Sequence, residues 1–174
     1  LHFFSIKAFI MATKNKNLSL YDPSNVPSGS GKKIGIVVSE WNAEITHGLR
    51  DGAIEALVNC GVYSRDIIVE NVPGAFELPL GAQLLLEEKD VDAVITIGCV
   101  IKGETAHFDY VCQGVTQGIQ ALNLSSGKPV MFCVLTDDKL KQSKARSGGK
   151  LGNKGVEAAI GALKMLNLSD RLKK

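Results

Sequence analysis

Four short apolar runs alternate with helix-like segments along this chain, and that alternation limits the fold more than any other feature. The runs cover residues 33–39, 66–72, 92–98 and 129–135. Apolar residues recur at helical spacing between and after them, at Ile45, Leu49, Ala53 and Leu57, at 78–86, at Val111, Val115, Ile119 and Leu122, and at Val156, Ile160, Leu163 and Leu166. Strands covered by helices on both faces are apolar along their length. The pattern therefore predicts an α/β fold, a three-layer α/β/α sandwich around a parallel sheet.

The first 32 residues differ in composition from the rest of the chain. Residues 12–32 are rich in Lys, Asn, Ser, Pro and Gly, with little apolar surface to bury. We expect residues 1–32 to be a disordered arm and residues 33–174 to form one domain with a flavodoxin-like sheet. Residues 1–10 precede Met11, which resembles an ordinary translation start, so we expect them to be an upstream or artificial extension.

Composition argues against several classes of protein. The formal net charge of +2 provides no strong field for nucleic acid or a membrane surface, so we expect neither as a partner. The apolar tract within residues 1–10 is too short to span a bilayer. The four cysteines have no CxxC spacing and are typical of reduced core thiols, which predicts a cytoplasmic protein. The three histidines lack metal-ligand spacing, so we expect no metal and no cofactor.

Ligands of open parallel sheets bind beyond the carboxyl ends of the strands. The segments that follow the four predicted strands are residues 39–42, 72–79, 98–108 and 136–138, and they should converge on one edge. The third contains two glycines, a hydroxyl group and a histidine ahead of a helix predicted to begin near Phe108. It is either a phosphate-binding loop or a plain strand-to-helix connection.

Several residues in these segments have both a functional and a structural interpretation. His107 is either a general acid or base or a structural histidine. Trp41 and Phe76 either stack on a flat heterocycle or belong to the core. Arg146 and Lys154 flank a glycine-rich break and belong either to a phosphate site or to a solvated basic stretch. The residues alone leave these alternatives open.

From Lys33 to Leu168 the chain resembles the lumazine synthases in four motifs. The family's aromatic-Asn pair appears as Trp41-Asn42, and its Pro-Gly-Ala/Ser-Phe-Glu-Leu-Pro motif as residues 73–79. Its Gly-x-Val-Ile-x-Gly-x-Thr-x-His motif appears as residues 98–107, and its Gly-Asn-Lys-Gly motif as residues 152–155. The motifs occur in the family's order, and the first three lie at the ends of predicted strands, which argues against coincidence.

The resemblance implies a role for each motif residue. Around the pyrimidine ring and its ribityl chain it implies Trp41, Asn42, Ala75, Phe76, Glu77, Cys99, Val100 and Ile101. On the phosphate it implies Glu104, Thr105 and Arg146. His107 is implied to transfer protons, Lys154 to lie close to the site, and Phe132 to enter the pocket of a neighbouring subunit.

The resemblance also implies an activity and an assembly. The family condenses 5-amino-6-(D-ribitylamino)uracil with 3,4-dihydroxy-2-butanone 4-phosphate in the penultimate step of riboflavin biosynthesis, without a metal or organic cofactor. Members form pentamers, and in many of them twelve pentamers build an icosahedral shell of sixty subunits, with riboflavin synthase as a candidate partner. The linker at residues 148–152 carries no insertion, which favours the shell. Lys141 and Ala145 depart from the family, which often has glutamate at these positions.

Three alternatives from the sequence remain open at this point. A non-catalytic flavin or nucleotide carrier on the same fold would bind flavin tightly without converting the two substrates. A purely structural shell protein would assemble even when its pocket residues are replaced. Nucleophilic catalysis by Cys99 with His107 is the weakest alternative, because Cys99 lies at an apolar strand end where nothing nearby would lower its pKa.

Overall fold

A four-stranded parallel sheet forms the centre of the computed structural model, which describes Asn17 and residues 19–173. Its strands are β1 (Ile34–Ser39), β2 (Ile67–Val72), β3 (Ala93–Ile101) and β4 (Val130–Asp137). Their order across the sheet is β2-β1-β3-β4, so β2 and β4 are the edge strands. All four strands point the same way, and their carboxyl ends therefore share one edge.

Helices cover both faces of this sheet. On one face lie α1 (Ala43–Asn59) and α5 (Lys154–Leu172), and on the other lie α2 (Leu78–Glu88) and α3 (His107–Ser126). A short helix, α4 (Leu140–Arg146), leads into α5 through two short antiparallel strands, β5 (Ser147–Gly149) and β6 (Gly152–Asn153). The predicted three-layer α/β/α sandwich with a flavodoxin-like sheet is confirmed.

The sheet divides the core into two apolar layers, because successive strand side chains point to opposite faces. Ile36 lies in one layer with Leu49 of α1 and Leu163 of α5. Its neighbour Val37 lies in the other layer with Leu85 of α2. These side chains are almost wholly buried, and each contributes about 1.5 to 3 kcal/mol relative to an exposed position.

Strand β3 is longer than the sequence predicts. The predicted run ended at residue 98, whereas the strand continues to Ile101, where it pairs with Asp137. The apolar residues Cys99 to Ile101 extend the ladder because β4 also continues past its apolar run. The loop therefore comprises only residues 102–106, Gly98 lies inside the strand, and α3 begins at His107 rather than near Phe108.

The Gly-Asn-Lys-Gly motif joins α5 tightly to α1. Asn153 caps α5, accepting a hydrogen bond from the Gly155 amide at 2.8 Å, and its own side chain donates to the Gly48 carbonyl at 2.8 Å. A side chain at Gly155 would collide with the Leu49 carbonyl oxygen. Glycine is therefore required where the two helices cross, and this part of the motif is structural.

The described part of the N-terminal segment lies against the domain. Composition predicts no ordered contacts here, but Tyr21 and Val26 supply apolar surface that packs on the core. The Gly29 amide donates to the Cys60 carbonyl at 2.8 Å, and the Ser19 hydroxyl accepts a hydrogen bond from the Asn153 amide at 2.7 Å. The extension expected at residues 1–10 lies outside the described residues. No helix in the described part of the chain is long and apolar enough to cross a membrane.

Candidate active site

A cleft of about 650 Å³ opens at the carboxyl edge of the sheet, where the sequence predicts a ligand site. It lies where the segments after β1, β2 and β3 meet. The predicted site residues that line it are Trp41, Asn42, Ala75, Phe76, Glu77, Cys99, Val100, Ile101 and His107. Three of the four motifs, far apart in sequence, thus contribute to one cavity.

Asn42 fixes the first of these segments to the third strand. It occupies the left-handed backbone region at φ 60°, which few residues other than glycine and asparagine tolerate. Its side-chain amide donates to the Cys99 carbonyl at 2.9 Å. Asn42 therefore has two roles. It adopts the left-handed backbone conformation of the turn before α1, and its hydrogen bond holds the neighbouring Trp41 beside the cleft.

Trp41 and Phe76 are not core residues. Trp41 is 73% exposed and Phe76 is 60% exposed, although both line the cleft. Phe76 belongs to a single 3₁₀ turn, Ala75–Glu77, and its ring lies against the backbone of Gly114 on α3. A side chain at Gly114 would come within 2.7 Å of that ring. Two exposed aromatic rings at a cleft are suited to stacking on a flat heterocycle.

The loop after β3 carries Glu104 and Thr105, which are exposed and lie outside the cleft lining. The Thr105 hydroxyl accepts a hydrogen bond from the His107 amide at 3.4 Å, which places it at the first turn of α3. The amides of a helix N-terminus favour a bound anion. The interpretation of this loop as a phosphate site is compatible with this geometry, although Gly98 takes no part in it.

Sequence reasoning missed three residues of the cleft, namely Gly74, Tyr110 and Val111. Tyr110 and Val111 follow His107 by three and four positions on α3. Residues at these spacings share one helix face, so the pattern was available in the sequence. Gly74 lies within the Pro73–Pro79 motif, and its backbone approaches the Trp41 ring.

Cys99 lies in the cleft wall but has the wrong chemistry for a nucleophile. Burial raises the pKa of its thiol, the hydrogen bond with Ser143 lowers it, the negative charge of Asp137 raises it, and the net shift is upward. The thiol therefore remains protonated near neutral pH, and it donates a hydrogen bond to the Ser143 hydroxyl at 3.5 Å. This disfavours the alternative in which Cys99 attacks a substrate.

Arg146 lies outside the cleft lining, at the end of α4. Its Nη1 atom donates to the Gln142 carbonyl at 2.9 Å and lies 3.8 Å from Oδ1 of Asp137. Asp137 is the strand partner of Ile101, which lines the cleft. The guanidinium therefore lies near the end of β4, the strand that pairs with β3 at the cleft wall.

Phe132 and Lys154 line a second groove, of about 630 Å³, between β4 and α5. Phe132 is 43% exposed, although it lies in the edge strand β4. Lys154 pairs with Glu157 at 2.8 Å rather than with a residue of the cleft. The structure therefore does not bring these two predicted site residues into the cleft of their own chain.

Among the described residues, no group of three or more His, Cys, Asp or Glu side chains is arranged to hold a metal ion. The polar groups of the cleft are instead Asn42, Glu77, His107 and the Tyr110 hydroxyl. These groups can form hydrogen bonds and transfer protons. Together with the two exposed rings, they suit a flat, polar organic substrate.

Comparison with known proteins gives a consistent result. A family model described as 6,7-dimethyl-8-ribityllumazine synthase matches residues 31–170 of this chain. A relative of that name from Flavobacterium johnsoniae is 60% identical over 155 residues, which cover 89% of this chain and 82% of the relative. One from Flavobacterium psychrophilum is 56% identical, covering 92% and 85%. One from Parabacteroides distasonis is 54% identical, covering 91% and 99%.

Proposed function

The chain belongs to the 6,7-dimethyl-8-ribityllumazine synthase family, and from that premise we propose that the cleft beyond the strand ends is its substrate site. The protein is an enzyme of the transferase class in riboflavin biosynthesis. It condenses 5-amino-6-(D-ribitylamino)uracil with 3,4-dihydroxy-2-butanone 4-phosphate and releases phosphate and water. A non-catalytic flavin carrier or a purely structural shell protein is not favoured, since relatives named for the enzyme cover nearly the whole chain.

The observation that carries the site assignment is that nine motif residues line one cleft. In this proposal the pyrimidine stacks on the exposed ring of Trp41, with Phe76 beside it. Asn42 and Glu77 supply polar groups for the pyrimidine and its ribityl chain. Ala75, Cys99, Val100 and Ile101 form part of the remaining wall.

Catalysis in this cleft rests mainly on holding two substrates together. The amine of the pyrimidine forms an imine with the ketone of the sugar phosphate and releases one water, phosphate leaves by elimination, and ring closure expels a second water. Orientation of two reactants can lower a barrier by about 7 to 11 kcal/mol. Proton transfer by a positioned side chain is a smaller contribution, of about 100- to 10,000-fold in rate. His107, at the cleft and at the start of α3, is the residue we assign to it.

The phosphate of the sugar substrate is assigned to Glu104, Thr105 and Arg146. The first turn of α3 favours an anion beside Thr105, and a guanidinium can bind two phosphate oxygens at once. The Glu104 carboxylate would repel a phosphate, so we assign the Glu104 contact to its backbone amide. In this assignment the residues that bind the phosphate are different from the aromatic residues that bind the pyrimidine.

We also propose that the protein is a cytoplasmic homopentamer in which sites are shared between subunits. Phe132 supports this, because an exposed phenylalanine on an edge strand beside Lys154 is well placed to reach a neighbouring copy. Assembly of pentamers into a sixty-subunit shell, with riboflavin synthase as a candidate partner, is the further step. The hairpin at residues 147–153 supports the shell through its short turn.

The direct test mixes the purified protein with the two substrates and follows lumazine fluorescence and phosphate release. We expect equal amounts of the two products. Trp41→Ala should raise the KM for the pyrimidine, whereas Tyr63→Ala removes an exposed aromatic ring outside the cleft and should not. Absence of turnover by the wild-type protein would overturn the assignment.

A further inference from the structure

Asp137 stands where the phosphate arginine and the cleft wall meet. It is the last residue of β4, and its side chain is only 14% exposed. One carboxylate oxygen, Oδ2, accepts a hydrogen bond from the Ser143 hydroxyl at 2.7 Å, and the other, Oδ1, lies 3.8 Å from Nη1 of Arg146. The carboxylate thus bridges a buried hydroxyl and the guanidinium.

Ser143 fixes the orientation of that carboxylate. Its side chain is fully buried on α4, and its hydroxyl accepts a hydrogen bond from the Cys99 thiol at 3.5 Å while donating to Asp137. The carboxylate oxygen accepts the single hydroxyl proton, so the hydroxyl oxygen is left to accept from the Cys99 thiol. Oδ2 is therefore held inward, and Oδ1 is left facing Arg146.

Arg146 is restrained on its backbone side as well. The Ala145 carbonyl, one residue before it, accepts a hydrogen bond from the Leu151 amide at 2.8 Å, so the hairpin holds the end of α4. The Nη1 atom is the one that approaches both the Gln142 carbonyl and Asp137. A guanidinium has five donors, so the rest of the fork can meet a phosphate.

The helix that carries Arg146 supplies no carboxylate of its own. It contains Lys141, Lys144 and Arg146 but no Asp or Glu. Asp137 supplies a negative charge from a different element, the end of β4.

We infer that Asp137, held by the Ser143 hydroxyl, is a positioning residue that orients the Arg146 guanidinium toward the phosphate of the sugar substrate. The inference rests on the proposed function for the identity of that substrate. The expected effect on phosphate binding does not depend on turnover. A correctly oriented guanidinium binds a phosphate group through two oxygens, whereas a freely rotating one loses this preorganisation.

Charge and orientation make opposite predictions for Asp137→Asn. On charge alone, removal of a carboxylate near a phosphate site strengthens phosphate binding, because a repulsion is lost. If Asp137 orients Arg146, the same change weakens phosphate binding by about tenfold, because the misoriented guanidinium loses one charge-assisted hydrogen bond to the phosphate. Titration calorimetry of the full chain with inorganic phosphate measures this directly.

Two further variants keep the result interpretable. Ser143→Ala leaves the charge in place but frees the carboxylate, and we expect phosphate binding weakened about threefold. Asp138→Asn removes the same charge from the next residue, which is exposed and pairs loosely with Lys102 at 3.9 Å, and it should leave phosphate affinity unchanged or slightly higher. Urea unfolding verifies that each variant is folded.

Turnover separates this inference from the proposed function. In an active wild-type enzyme, Asp137→Asn should raise the KM for the sugar phosphate while the KM for the pyrimidine stays constant. Unchanged or tighter phosphate binding by folded Asp137→Asn and Ser143→Ala overturns the inference and leaves the enzyme assignment intact. A wild-type protein that binds phosphate but forms no product overturns the assignment, and the phosphate affinities still decide the role of Asp137.

Discussion

The side-chain amide of Asn42 donates to the backbone carbonyl of Cys99 at 2.9 Å, which ties the segment after β1 to the end of β3. These residues are 57 positions apart in the chain. Both residues line the cleft, and Asn42 directly follows Trp41, the most exposed aromatic ring there. This hydrogen bond therefore links two segments that line the cleft we propose as the pyrimidine site.

Replacement of Asn42 should reveal two separable effects. Asn42→Ala and Asn42→Gly both lose the bond to Cys99, but only alanine is strained at φ 60°. We expect the alanine variant to be less stable than the glycine variant by about 1 kcal/mol in urea unfolding. Both should show a KM for the pyrimidine raised by about tenfold. Equal stability of the two variants would show that the backbone strain has been misjudged.

His107→Ala tests the proton-transfer assignment. Positioning of the two substrates survives this change, so we expect kcat to fall by about 100-fold while measurable activity remains. His47→Ala is the matched control, since His47 is exposed on α1 and does not line the cleft, and its kcat should equal that of the wild-type enzyme. Complete inactivity of a correctly folded His107→Ala variant would mean that proton transfer matters more than proximity.

Arg146→Ala tests the phosphate assignment. Loss of charge-assisted contacts worth about 1.5 to 3 kcal/mol should raise the KM for the sugar phosphate by about 10- to 150-fold, with little change for the pyrimidine. Lys144→Ala removes a neighbouring, half-exposed cation that pairs with Glu44, and it should leave both KM values nearly unchanged. Steady-state kinetics with each substrate varied in turn would distinguish these results. Equal weakening for both substrates would contradict the role of Arg146.

The fold could be predicted from the sequence because buried strands and amphipathic helices leave local patterns. Strand ends were less visible: the predicted run ended at residue 98, although the apolar residues Val100 and Ile101 continue the pattern and belong to β3. The aromatic-Asn pair and the Pro73–Pro79 motif contain half of the residues that line the cleft, since they directly follow strands. Contacts between distant elements, such as Asp137 with Arg146, leave no local pattern, because they depend on how α4 packs against β4.

Cys133 should make stability depend on alkaline pH. Burial raises the pKa of its thiol from 9.0 to about 12, so the folded chain retains this proton after the unfolded chain releases it. Stability contributed by the protonated thiol is therefore complete below pH 9 and lost between pH 9 and about pH 12, at about 1.4 kcal/mol per pH unit. Urea unfolding at a fixed protein concentration measures it.

The comparison that isolates this thiol uses Cys133→Ala. From about pH 8 to about pH 10.5 the wild-type protein should lose about 2 kcal/mol more stability than the variant. Cys112→Ala is the matched control, because Cys112 is only partly buried. The stability that this variant loses over the same pH range should be closer to the loss in the wild-type protein. Parallel losses in wild type and Cys133→Ala would show that the buried thiol does not titrate as described.

The proposed assembly makes a prediction for the edge of the sheet. Phe132 on β4 and Val69 on β2 are both exposed apolar residues on edge strands, but only Phe132 lines the groove with Lys154. A charge buried at an interface carries a large desolvation cost, and Lys154 in this groove is already paired with Glu157. Phe132→Asp should therefore shift the protein from five-subunit or larger species to smaller ones and reduce activity, whereas Val69→Asp should leave the species distribution of the wild-type protein.

Light scattering and sedimentation measure the particle mass, and activity is measured on the same samples. A sixty-subunit wild-type particle would support the shell, and a constant five-subunit species in all buffers would refute the shell while leaving the shared site. An unchanged assembly for Phe132→Asp would refute the proposal that this face reaches a neighbouring subunit.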